Sequence, residues 1–110
     1  DRYPNKLYNR LRKLMEDGLN DQADWLQFES YFNSAHHNFM ERLRQRYTDI
    51  TTGDLRLCCL LRMNLSTKEI ASLLNVSVRA IEIRRYRLRK RLMLESDTNL
   101  VDFLFKFGEE

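Results

Sequence analysis

Between Leu55 and Met63 every residue is apolar except Arg56 and Arg62. As a helix this run spans roughly two and a half turns, and a helix apolar nearly all the way round must be covered on more than one side. Cover on one side has to come from the residues that follow it. On the other side it has to come from the aromatic-rich segments before residue 48. The two halves of the chain then share one extended core. Three glycines and one proline in 110 residues leave little turn chemistry for a many-stranded sheet, so the expected class is all-α. The length is that of one ordinary domain.

Apolar spacing predicts five or six helices. Leu7, Tyr8, Leu11, Leu14 and Met15 form a stripe over 4–16, closed by Gly18. The leucines also fit a heptad seam, so this stretch is either the tail of a coiled coil or a short amphipathic helix. Trp25, Phe28, Phe32 and Ala35 share one side of a helix over 24–35. Phe39, Met40, Leu43 and Tyr47 do the same over 38–47, with Arg42, Arg44 and Arg46 turned away. Aromatic stripes at this spacing belong to a core rather than to a cofactor box. The helix at 52–63 exposes only its two arginines. A last helix, about 98–107, points Leu100, Phe103, Leu104 and Phe107 inward.

The chemistry-bearing residues are few. His36 and His37 fall in a turn; as neighbours they cannot share a helical face, and no third ligand has suitable spacing for a metal. Cys58 and Cys59 are adjacent inside the apolar run, which is neither a disulfide framework nor a metal-ligand spacing, and no basic group is placed to activate them. They read as core residues in a reducing compartment. No nucleophile–base set appears, so no enzyme and no cofactor are expected. No apolar run reaches the ~18–20 residues of a membrane span. The chain opens at Asp1 rather than Met, and we read it as a piece of a longer protein.

Charge is distributed unevenly. Residues 1–50 are neutral, with eight basic and eight acidic side chains. Arg79, Arg84, Arg85, Arg87, Arg89, Lys90 and Arg91 face only Glu82 in thirteen residues, a local charge of +6. Solvated faces usually mix both signs. A focused positive stripe points instead to a polyanion.

That stripe lies on the second helix of a helix-turn-helix. Ser66-Thr67-Lys68-Glu69 is a capping box that opens a helix over 67–74, with Ile70, Ala71, Leu73 and Leu74 inward. Asn75-Val76-Ser77 is a three-residue turn, and Ser77 can cap a helix running to about Met93. Ala71 allows close approach where the two helices cross. At about 100° per residue, Ile81, Leu88 and Leu92 define the buried stripe. The opposite face carries Arg79, Glu82, Ile83, Tyr86, Arg87 and Lys90. In a major groove Arg79 can fork onto guanine, Glu82 can accept from cytosine and Ile83 can touch a thymine methyl, with Tyr86 beside them. Arg84, Arg85, Arg87, Arg89, Lys90 and Arg91 suit phosphates or the groove walls. Ser66, Thr67 and Lys68, at a helix N-terminus, suit a phosphate.

Leu65-Ser66-Thr67-Lys68-Glu69-Ile70-Ala71, then Leu74, Val76-Ser77, Ile81 and Leu88-Arg89-Lys90-Arg91-Leu92, resembles the LuxR/NarL/FixJ-type DNA-binding domain over about residues 50–107. The resemblance implies four helices, the third in the major groove, and a fourth that supports dimerisation. It places base-facing positions at Glu82, Ile83 and Tyr86 and a phosphate lysine at Lys68. Departures from the pattern are Gly53 for a Pro, Asn64 for a Gly, Arg84 for a His and Met93 for a Gly. Asp54-Leu55-Arg56-Leu57-Cys58, Arg62 to Ser66 and Arg84 to Lys90 further resemble the C-terminal output domain of large bacterial membrane-anchored sensor-regulators with a triple-tyrosine module. That likeness implies a connector at 1–20, a helical extension at 21–50 and the DNA-binding domain at 51–110.

The expectation is a cytoplasmic module that binds double-stranded DNA, without membrane contact, and pairs as a homodimer through Val101 and Phe105 on the last helix. Two alternatives stand beside it: a helical adaptor docking an acidic protein, and a sigma-factor-like promoter reader.

Overall fold

The computed structural model describes Lys13 and residues 22–109. Of the stripe at 4–16 only Lys13 is described, helical and exposed; its remainder, the Gly18 stop and the connector at 1–20 lie outside the described residues. From residue 22 onward there are six helices and no strand among the described residues. They are α1 (Gln22–Ala35), α2 (Phe39–Arg46), α3 (Thr52–Arg62), α4 (Thr67–Leu74), α5 (Val78–Arg91) and α6 (Leu100–Glu109). None is long and apolar enough to cross a membrane.

α3 is the hub. A capping box starts it: the Asp54 amide donates to Thr51 Oγ1 at 3.1 Å and the Thr51 amide to Asp54 Oδ2 at 3.0 Å. Leu55, Leu57, Cys58, Cys59, Leu60, Leu61 and Met63 are then buried in every direction around the axis, and α2, α5 and α6 all pack on it. α1 reaches it through Arg56, whose guanidinium lies 4.5 Å from the Trp25 ring centroid, 3.6 Å from Glu29, and donates to Gln22 at 3.1 Å.

The two arginines of α3 do not break the surface as expected. Arg62 is buried, with its guanidinium 4.3 Å from the Phe105 ring centroid; Arg56 is half-buried. The planar, weakly hydrated guanidinium stacks on aromatic faces, and its aliphatic stem packs like any hydrocarbon. Arginine can therefore continue a covered helix where lysine would have to reach out.

Aromatic side chains join the first two helices to the last. Trp25 stacks on Phe28 at 5.6 Å, Phe28 meets Phe32 at 5.9 Å and Phe32 meets Phe39 at 5.8 Å. Phe39 meets Phe107 edge-on at 5.9 Å. Leu100, Leu104 and Phe107 are buried, whereas Phe103 is half-buried against Tyr47 at 6.4 Å. Ala35, expected on the buried stripe, is also only half-buried.

The helix ends follow the local chemistry. Ser66 and Glu69 close their box at 3.0 and 3.1 Å, and Ser77 Oγ accepts from the Ala80 amide at 3.0 Å. Asn64 and Asn75 take the left-handed conformation, at φ 64° and 57°, which Asn adopts at small cost. Met93 ends α5 in the same region at φ 55° while 81% exposed. An unbranched, non-Gly residue pays there with nothing gained from burial. Met93→Gly is expected to raise stability by about 0.5–1 kcal/mol, read as a higher thermal midpoint; an unchanged or lower midpoint refutes the strain.

His36 sits in the α1–α2 turn as expected, buried, its ring 4.3 Å from that of Phe32. Burial, reinforced by the nearby Arg62 charge and by His37, lowers its pKa from 6.5 to about 4. The unfolded chain therefore binds the proton more readily. The stability from neutral His36 is fully present above pH 6.5 and is lost as pH falls from there through 4. Urea unfolding of a His36→Leu variant should show a shallower decline over that window than the native chain; equal slopes refute it.

Candidate nucleic-acid interface

α4 and α5 meet through buried Ile70, Ala71 and Ile81, with half-buried Val76 packed beneath the turn. Ala71 is the small residue at this contact, as close helix crossing requires. On α5 the buried residues are Ile81 and Leu88, with Leu92 immediately after. This anchors one side of the helix and fixes which side faces outward.

Placing Ile83 at 0° on a 100° helical wheel, Arg79, Tyr86 and Lys90 fall within about 60° of it on one side. All are exposed, with Ile83 at 37% and Tyr86 at 59%. Lys90 Nζ lies 4.7 Å from the Tyr86 ring centroid, so cation and ring steady each other. Glu82 is exposed about 100° away on that side. The expected base-facing residues thus share one open surface, except that Glu82 stands at its margin.

The two flanks of α5 differ. On the Glu82 side, Arg85 Nη1 donates to Thr67 Oγ1 at 3.3 Å, bringing together two residues expected to grip phosphate beside exposed Ser66 and Lys68. Arg89 departs from the expectation. Its Nη1 donates to the Thr98 carbonyl at 2.6 Å and its Nη2 to the Glu95 carbonyl at 2.7 Å. Carbonyls of an irregular loop need donors, and a forked guanidinium supplies two at once. Arg89 thus straps the loop between α5 and α6.

The other flank carries Arg84, Arg87 and Arg91, at about 40–100° from Ile83. It faces the first turn of α3, where Thr51, Gly53, Asp54 and Leu57 complete a shallow cleft of about 290 Å³. Arg91, expected at a groove wall, donates to Asp54 Oδ2 at 2.6 Å. Asp54 is buried and already accepts from the Thr51 amide, so this pair ties the end of α5 to the start of α3. The box at Thr51 was legible as a Thr-x-x-Asp string; its pairing with Arg91, 37 residues on, carries no local signal.

Val101 and Phe105 are both half-buried, and Arg62 covers one face of Phe105. Cys58 and Cys59 are buried, and burial pushes both thiols well above the ordinary thiol range. Among the described residues no three His, Cys, Asp or Glu side chains gather to hold a metal ion.

The family model described as "Sigma-70, region 4" matches residues 60–92, from the last turn of α3 through the end of α5. No curated protein and no solved structure gives a significant match. The matched segment contains the whole helix-turn-helix. The chain therefore carries a helix-turn-helix similar to one that reads DNA in transcription.

Arg89→Ala is expected to lower stability by about 2 kcal/mol, because two charge-assisted hydrogen bonds to the loop are lost, while leaving the salt dependence of duplex binding unchanged. Arg87→Ala should do the reverse, flattening the salt slope by about one unit with no loss of melting temperature. Interchanged results would make Arg89 a phosphate contact and Arg87 a structural one.

Proposed function

We propose that this chain is the DNA-binding output module of a bacterial transcription regulator, with α5 seated in the major groove. Arg79, Glu82, Ile83 and Tyr86 face bases. Ser66, Thr67, Lys68, Arg84, Arg85, Arg87 and Lys90 hold phosphates or the groove wall. The observation that carries this is the exposed apolar centre of α5. Ile83 is 37% and Tyr86 59% exposed, ringed by cations, where a helix with no partner gains little from them. An acidic protein partner would satisfy the cations, but an arginine fork on guanine and an isoleucine on a thymine methyl use both kinds of residue.

The LuxR-type kind is supported by the motif string and by α3–α6, in which α6 folds back onto α3. On this reading residues 51–110 form the DNA-binding domain, 21–50 an extension on its first helix and 1–20 the end of a connector that delivers the signal from a membrane-anchored parent. Two copies meet through Val101 and Phe105 of α6, whose remaining exposed surface is small enough that pairing needs DNA or the tethered parent. The match over 60–92 favours a second reading, a sigma-like promoter reader acting as one copy.

Selection from random duplex DNA tests both. Paired half-sites related by two-fold symmetry support the LuxR-type reading, a single asymmetric site supports the sigma-like one, and no enrichment refutes DNA reading altogether. Within a selected site, Glu82→Ala should relax discrimination at one base pair by about 1–3 kcal/mol. Identical selected sites before and after the change would reduce Glu82 to a charge that tempers the helix.

A further inference from the structure

The arginines on the two flanks of α5 are not equivalent. On one side, Arg85 is engaged with Thr67 and Arg89 with two carbonyls. On the other, Arg84 and Arg87 make no ion pair or side-chain hydrogen bond with any described residue, yet both line the cleft against α3. The third arginine of that cleft, Arg91, is paired with Asp54 at 2.6 Å. The one carboxylate in the cleft is thus already neutralised, and the two unengaged guanidiniums dominate its charge.

We propose that this cleft is a seat for one phosphate group of the DNA backbone, held between Arg84 and Arg87 of the recognition helix and the first turn of α3. The inference rests on the DNA reading above and adds α3 to the interface. Guanidinium forks match phosphate oxygens, and two of them on adjacent turns can hold one group from two sides. The capping box consumes the amides of Thr51 and Asp54. Thr52 and Gly53, at the open end of an 11-residue helix, keep amides that have no acceptor in the preceding turn. The cleft lies beside the base-facing surface of α5, on the side where a groove wall runs when Ile83 points at bases. Its volume of about 290 Å³ leaves room for a phosphate group with its water.

Gly53 gives a test that spares the fold. A Cβ there would meet only Thr51 Oγ1, at 3.8 Å, and replacing Gly inside a first turn by Glu or Gln favours the helix. Gly53→Glu and Gly53→Gln should both melt at or above the native temperature. Titrated with a selected duplex at ~0.1 M salt, Gly53→Glu should bind about tenfold more weakly than Gly53→Gln, with a salt slope smaller by about one unit. Gln45→Glu, the same charge change on exposed α2, should cost less than about twofold. In a second arm, inorganic phosphate is added to the native chain and to Gly53→Glu, and the amide resonances of residues 52 and 53 are followed. Equal duplex affinity for the two Gly53 variants overturns the proposal. Amide shifts with inorganic phosphate that vanish in Gly53→Glu, combined with unchanged duplex binding, overturn it too, and assign the cleft to a free anion. If the native chain binds no duplex at all, the DNA reading fails first and this seat with it.

Discussion

The structure depends on the covering of α3. Leu55, Leu57, Cys58, Cys59, Leu60, Leu61 and Met63 point in all directions and every one is buried. Fully burying one leucine side chain favours folding by about 1.5–3 kcal/mol, so a bare side of this helix would cost several such contributions. α2, α5 and α6 are therefore arranged around it rather than beside one another. α5 inherits its orientation from this packing, through Ile81 and Leu88 inward and Arg91 on Asp54.

The same constraint explains why the aromatic helices do not stand apart. Phe32, Phe39 and Phe107 form edge-to-face contacts that run from α1 through α2 into α6, and Arg56 lies on Trp25. A change in the position of α1 is felt by α3 and α6, the helices on either side of the helix-turn-helix, through packed rings, which deform little before they repack. The arginines contribute through planarity as much as charge: Arg56 and Arg62 cover rings, Arg89 straps a loop, and Arg84 and Arg87 remain open.

Periodicity made most of this fold readable, because helical stripes and caps are local. Ser66 with Glu69, Asn75 and Ser77 mark the α4–α5 boundaries to the residue, and Trp25, Phe28 and Phe32 mark the inner side of α1. The open surface of α5 was readable for the same reason, since Ile81, Leu88 and Leu92 set the angle. What could not be read were side-chain destinations set by residues far along the chain. A positive residue in a basic helix looks like a phosphate anchor whether its partner is DNA, as we propose for Arg87, or a carbonyl nine residues later, as for Arg89. Arg62 looked like a surface residue because nothing local shows that Phe105 will lie against it.

The two thiols at the centre of α3 have a use beyond packing. Cys58 and Cys59 are fully enclosed, and burial keeps them protonated. A thiol reacts with alkylating or disulfide reagents as the thiolate and only where the reagent can reach it. Neither condition is met while α2, α5 and α6 remain in place. The pair is a clock built into the axle of the molecule: the rate at which it is modified counts how often the helices come apart, with no dye or engineered label required.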